Sequence, residues 1–104
     1  MTLTWREHVE AVVEYQAAAE WYETTRRGWG DVFMDAVDAA ISSILDPAIR
    51  WGFYRDRRSE PQVYSRSVAG FPFQVIYLVI EDEVLVVAYA HERRLPGYWA
   101  DRVK

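Results

Sequence analysis

The sequence predicts an α+β fold in which two helices pack on a small antiparallel sheet. Apolar residues recur at helical spacing in the first half of the chain, whereas beyond residue 62 they alternate as they do in strands. A chain of 104 residues forms one domain, since cores seldom divide below about 150 residues. We therefore expect residues 1–104 to share one core, with the element order β-α-α-β-β-β.

The first helix is predicted from His8 to about Thr25. Its apolar row consists of Val9, Val13, Ala17 and Trp21, and Val12 and Ala18 lie alongside. These positions lie on one side of a helix, so we expect this row to face the core. Gly28 then ends the helix.

A second helix is predicted after the Gly-Trp-Gly turn at residues 28–30. Its apolar stripe is wide and runs from Val32 to Leu45, and Pro47 enforces the end. Asp31 is placed to cap the N-terminus or to complement its positive end. The short turn predicts that the two helices form an antiparallel hairpin.

Three strands are predicted in the second half, at residues 62–68, 71–80 and 84–90. The second is apolar on both faces, so we place it in the middle of the sheet. The acidic segment 81–83 is expected to turn the chain into the third strand. A short strand at residues 3–6 could add an edge.

Composition excludes several classes of protein. The chain has no cysteine, which removes disulfides, thiolate catalysis and Cys-type zinc sites. Its start lacks the pattern of a signal peptide, and no segment is apolar enough to span a membrane, so we expect a cytoplasmic protein. His8 and His91 are the only histidines, and no metal or other cofactor is predicted.

Charge is distributed unevenly along the chain. Residues 1–49 hold nine acidic and three basic residues, whereas residues 50–104 hold seven acidic and nine basic ones. Eleven of the twelve basic residues are arginine, which favours specific contacts with carboxylates or phosphates. The two halves are therefore expected to face different partners, or each other.

No common enzyme motif occurs in the chain. Asp31, Asp35 and Asp38 lie on one helical face, but catalysis by paired carboxylates would require burial that separates their pKa values. We interpret them as a solvated face that could receive a basic partner.

A cluster of chemically versatile residues lies near the C-terminus, in the segment AHERRLPGYW at residues 90–99. Its members are His91, Arg93, Arg94, Tyr98 and Trp99, and Arg66 is expected nearby on an adjacent strand. Such residues suit a site that contacts phosphate or nucleic acid. They equally suit a segment that closes the end of a sheet, with Trp99 as a lid on the core.

Four sequence features, in order, resemble the ParE/RelE superfamily of toxins from bacterial type II toxin–antitoxin systems. They are A-x-W-Y-E at residues 19–23, R-x-G-x-G-x-x-F at 26–33, G-F-P-F-x-V-I-Y at 70–77, and A-H-x-R-R-x-P-x-Y-W at 90–99. The resemblance covers nearly the whole chain and favours the ParE-like branch. It implies the same β-α-α-β-β-β fold.

The two branches of this superfamily imply different targets. RelE-like members cleave mRNA on the ribosome, which here would use Arg66, His91, Arg93, Arg94 and Tyr98 as catalytic residues. Ser65, Ser67 and Gln74 stand where such a nuclease would carry basic residues, and that loss reduces transition-state stabilisation. ParE-like members inhibit DNA gyrase by binding it, which would assign target binding to His91, Arg93, Arg94, Tyr98 and Trp99.

The resemblance also implies a protein partner, a cognate antitoxin that holds the toxin inactive in a hetero-oligomer. Exposed aromatic residues would anchor it, and Trp5, Trp29 and Trp51 are the candidates. Burial of each tryptophan in the chain's own core is the alternative. A third reading is a non-toxic module that retains only antitoxin pairing.

Overall fold

The computed structural model describes residues 3–103. Two helices, α1 (Val9–Thr25) and α2 (Trp29–Leu45), follow a first strand, β1 (Thr4–Glu7). The remaining strands are β2 (Gly52–Phe53), β3 (Tyr64–Ser67), β4 (Phe73–Ile80) and β5 (Glu83–His91). Short 3₁₀ helices occupy Tyr54–Asp56 and Ala100–Val103. The α+β class and the predicted helices are confirmed, whereas β2 and both 3₁₀ helices were not predicted.

The sheet is mixed, so the prediction of a purely antiparallel sheet is wrong. Its strand order is β1-β5-β4-β3-β2, and β1 pairs with β5 in parallel, with Trp5 opposite Val84. The helical hairpin between β1 and the other strands allows this direction, because a parallel pair needs a long connection. The other three pairings are antiparallel.

Both faces of the sheet are covered, as the apolar pattern of β4 predicts. Val75 and Tyr77 of β4 pack in the core beneath the helices. Ile76 and Leu78 of the same strand belong to a second core on the opposite face, which Trp99 covers. β4 is the central strand of the five.

A β-bulge at Val87 interrupts the pairing of β4 with β5. Ile76 lies opposite Ala88 and Tyr77 lies opposite Val86, so Val87 has no partner in the register. Because of the extra residue, the consecutive residues Val87 and Ala88 both lie in the second core. Val86 and Tyr89 on either side belong to the core beneath the helices.

The face of α1 that packs on the core differs from the predicted one. Ala11 is fully buried, and Tyr15, Ala18, Ala19 and Tyr22 pack on the helix-side core. The predicted row instead faces outward, with Val9, Val13 and Trp21 exposed by 69%, 56% and 62%. The prediction of a core-facing row is therefore wrong for Val9, Val13, Ala17 and Trp21, whereas its neighbour Ala18 packs on the core as expected.

Two glycines form the junction between the helices. Gly28 has a positive φ of 89°, which is easily adopted without a side chain. A Cβ on Gly30 would lie 2.9 Å from the carbonyl oxygen of Ala19, so α2 crosses α1 too closely for a side chain there. Glu23, rather than Asp31, caps α2, since its carboxylate accepts hydrogen bonds from the N–H groups of Gly28 and Gly30 at 3.1 Å.

Neither helix within residues 3–103 combines the length and apolar character needed to cross a membrane.

Candidate functional site

The segment after β5 turns across the sheet face opposite the helices and closes the second core. Trp99 is only 6% exposed, and its ring packs edge-on against that of Tyr54, with the centroids 5.0 Å apart. This position agrees with the predicted lid on the core. It leaves little of the indole surface to bind a target.

His91 lies at the end of β5, where the strand leaves the sheet. Its Nδ1 accepts a hydrogen bond from the backbone N–H of Arg93 at 3.0 Å. The imidazole also packs edge-on against Phe73, with ring centroids 5.0 Å apart. These two contacts orient the ring and leave it half-buried at the rim of the sheet.

Arg94 and Tyr98 form a stacked pair beside His91. The guanidinium carbon of Arg94 lies 3.9 Å from the centroid of the Tyr98 ring, within the range of a cation–π interaction. Arg93 is exposed and its guanidinium is available to solvent. The structure thus brings four of the predicted residues to one rim: His91, Arg93, Arg94 and Tyr98. Arg94 is held on the Tyr98 ring, whereas Arg93 is exposed to solvent.

Two cavities meet at this rim. One of about 240 Å³ and another of about 270 Å³ are both lined by His91, Arg94 and Tyr98. The second cavity also borders Glu14 of α1. The rim is therefore concave on both sides of the Arg94–Tyr98 pair.

Arg66 does not join this cluster. Its side chain donates a hydrogen bond to the carbonyl oxygen of Arg50 at 3.0 Å and approaches the buried Tyr77. Within residues 3–103, Arg66 Nε and the Tyr77 hydroxyl lack a hydrogen-bond partner. Arg66 instead supports the segment that follows α2, so the expectation that it lies beside the C-terminal residues is not met.

Glu14 holds the C-terminal segment in place, and the sequence reading did not single it out. Its carboxylate accepts hydrogen bonds from the Tyr98 hydroxyl at 2.6 Å and from Arg102 at 3.0 Å. It also accepts a hydrogen bond from the backbone N–H of Tyr89, just beyond the bulge, at 3.0 Å. Arg102 in turn donates to the carbonyl oxygen of Val87 at 3.1 Å. Nothing in the spacing of the glutamates on α1 distinguishes this one from its neighbours.

Protonation at the rim is set by this network. Burial, followed by the hydrogen bond to Glu14, raises the pKa of Tyr98 above its ordinary value of 10.0. Burial alone would lower the pKa of Arg102, but its hydrogen bond to Glu14 and the charge of that carboxylate raise it overall. Tyr98 therefore keeps its proton at neutral pH and donates a hydrogen bond to Glu14. This arrangement suits a positioning role better than proton transfer.

The three tryptophans proposed as anchors differ in their surroundings. Trp5 on β1 is 42% exposed. Trp29 is half-buried, under the guanidinium of Arg26 and against Phe71. Trp51 is fixed by a 2.8 Å hydrogen bond from its Nε1 to the carbonyl oxygen of Ile44. Trp5 alone among the three presents a largely free ring.

A row of exposed apolar residues lies on α1 instead. We call the row Val9, Val13, Ala17 and Trp21 the α1 stripe; all four are exposed. Glu10 and Glu20 flank it, each three residues from a member of the row. The sequence pattern identified this row correctly but assigned it to the core.

The acidic face of α2 is exposed as expected, with Asp31, Asp35 and Asp38 at the surface. Within residues 3–103, no group of three or more His, Cys, Asp or Glu side chains could hold a metal ion.

Comparison of the chain with protein-family models, curated proteins and solved structures gave no match.

Proposed function

We propose that this chain is the toxin of a type II toxin–antitoxin system, of the ParE-like kind, neutralised by a cognate antitoxin and acting in the cytoplasm on DNA gyrase. Apart from the additional two-residue β2, its order of helices and strands matches the β-α-α-β-β-β order that the sequence resemblance implies. The four motif segments also fall at structurally important positions: the end of α1, the helix junction, the central strand and the closing segment.

The α1 stripe is the observation that carries this proposal. Val9, Val13 and Trp21 are each more than half exposed, and a continuous apolar row on a surface helix marks a place where another protein binds. The flanking carboxylates of Glu10 and Glu20 favour a partner with positive charge beside its apolar residues. An amphipathic antitoxin helix with basic flanks meets both requirements.

The rim formed by His91, Arg93, Arg94 and Tyr98 is the proposed contact with the target. Tyr98 is hydrogen-bonded through its proton to Glu14, and Arg94 is stacked on its ring. Arg66, which an RNA-cleaving site would need, is engaged with Arg50. These contacts favour binding to a protein over cleavage of RNA.

Pairing with an antitoxin can be tested by co-expression with the small protein encoded beside this chain. We expect the two proteins to co-purify, and the double variant Val13→Glu/Trp21→Glu to lose the partner. Ile80→Glu is the matched control, because Ile80 is also 50% exposed but lies on β4. Equal loss with Ile80→Glu, or full retention with the double variant, would contradict a role for the α1 stripe.

The target can be tested with purified protein in a gyrase supercoiling assay. We expect inhibition that weakens when Arg93 and Arg94 are both changed to Gln. Cleavage of mRNA on ribosomes without inhibition of gyrase would instead support the RelE-like alternative. Antitoxin binding without either activity would identify a pairing module that is not toxic.

A further inference from the structure

A cavity lined by arginines lies on the sheet face opposite the helices. It encloses about 530 Å³ between the loop that follows β2 and the turn that follows β5. Arg55, Arg57 and Arg58 line one side, and Pro96 and Trp99 are among the residues on the other. We call this the arginine cavity.

The three guanidinium groups have no partner among the residues that the structure describes. Among residues 3–103, no hydrogen bond, ion pair or ring contact involves the side chains of Arg55, Arg57 and Arg58. Asp56 and Glu60 belong to the same loop but do not line the cavity. The lining of the cavity therefore carries three arginines and no carboxylate.

The loop that carries these side chains has two residues in an unfavourable backbone conformation. Arg55 and Asp56 both have positive φ, 52° and 55°, a conformation that side chains other than glycine rarely adopt. Two such residues in succession are retained where the surrounding structure requires them, which often occurs at binding sites.

The arginine cavity continues into the rim described above. Tyr54, Arg55, Pro96 and Trp99 line both this cavity and the smaller one of about 240 Å³. The smaller cavity adds Arg94 and one carboxylate, Glu92, so the joined surface has four arginines and a single acidic side chain around apolar residues. A ligand that fits it carries negative charges along an extended chain together with an apolar group.

We propose that the arginine cavity binds an extended acidic segment of a protein, with an apolar side chain seated against Pro96. Arginine binds carboxylates through two parallel hydrogen bonds, which suits this partner. The site is on the opposite side of the sheet from the α1 stripe, so the inference stands independently of antitoxin pairing. A basic partner on the helices and an acidic partner here can then be bound together.

The aromatic rings argue against a single-stranded nucleic acid as the ligand. Such strands bind by stacking bases on exposed ring faces, but Trp99 is 6% exposed and packs edge-on against Tyr54.

The test is fluorescence anisotropy with the purified chain and a labelled peptide of alternating glutamate and serine around one leucine. We expect saturable binding that weakens with salt and falls roughly tenfold in Arg57→Gln/Arg58→Gln. Arg26→Gln/Arg27→Gln is the matched control, since it removes the same charge at the helix junction and is expected to bind normally.

Three results would overturn the proposal: no binding of the acidic peptide, equal binding of a peptide with glutamine in place of glutamate, or equal loss in the control variant. Tighter binding of a single-stranded oligonucleotide through the same arginines would replace the peptide with nucleic acid. Because the assay uses purified chain, its outcome is separate from whether the protein is toxic.

Discussion

Glu14 of α1 accepts hydrogen bonds from two parts of the chain, the strand β5 and the C-terminal segment that follows it. The Tyr89 N–H comes from β5, and the Tyr98 hydroxyl and Arg102 guanidinium come from the segment that closes the second core. The carboxylate is 15% exposed, so these bonds replace most of the water it would otherwise bind. One residue therefore fixes both the bulge and the rim.

Replacing Glu14 by Ala is expected to lower the free energy of unfolding by about 3 kcal/mol, because it leaves the Tyr89 N–H and the Tyr98 hydroxyl without this acceptor and removes the carboxylate that pairs with Arg102. Urea unfolding followed by circular dichroism measures the change. Glu20→Ala, at an exposed position of the same helix, is the control and should change stability by less than about 0.5 kcal/mol. Similar losses in both variants would contradict the role of Glu14.

Tyr77 gives the molecule a sensitivity to alkaline pH. Burial raises its pKa to about 12, with the positive charge of Arg66 offsetting part of the rise. Between pH 10 and 12 the unfolded chain loses the phenolic proton while the folded chain keeps it, so stability falls as pH rises.

We expect Tyr77→Phe to reduce the slope of stability against pH above pH 10. At pH 7 the change should be small, since the hydroxyl has no hydrogen-bond partner among the described residues. Urea unfolding at several pH values provides the measurement, and Tyr54→Phe serves as a control. An unchanged alkaline slope in Tyr77→Phe would show that Tyr77 does not titrate in this way.

At the scale of elements, α1 shows why periodicity alone misplaced its buried face. The helix carries two apolar rows, and the outer one contains the larger aliphatic side chains of Val9 and Val13. The inner row includes Ala11 and Ala18, whose small side chains permit close packing with α2 and the sheet. Sequence spacing indicates an apolar row on the helix but does not say whether that row or its neighbour faces the core.

Gly30→Ala tests the close crossing of the helices. The new methyl group would lie 2.9 Å from the Ala19 carbonyl oxygen and 3.0 Å from Glu23, so we expect a loss of about 1–3 kcal/mol in thermal or urea unfolding. Gly52→Ala is the control, because a Cβ there would lie 3.8 Å from the Ser65 carbonyl oxygen, an ordinary van der Waals distance. A Gly30→Ala variant as stable as the parent would show that the helices can separate at little cost.

At the scale of the whole molecule, the local patterns predicted most of the architecture. The alternation in β4 predicted its central place and its two buried faces, both confirmed. The parallel pairing of β1 depends on how the helices return the chain to the sheet, which four residues of strand do not encode. The two-residue β2 is too short for any period to reveal.

The candidate site was predicted only in part, because its residues are assembled by contacts between distant segments. Residues 91–98 are close in sequence and were found together, whereas Glu14 reaches Tyr98 across 84 positions. Arg66 was expected at the rim because strand order suggested it, but its side chain is turned toward Arg50. The uneven charge predicts that the two halves face different partners or each other, and this stays a prediction.

The central claim, that this chain is a toxin of the ParE-like kind, is tested most directly by inducing it in a bacterial host without its neighbouring gene. Growth, the DNA damage response and the rate of translation should be followed together. We expect growth arrest with an induced damage response and continuing translation. Unimpaired growth at verified expression, or arrest with rapid loss of translation and cleaved mRNA, would contradict it.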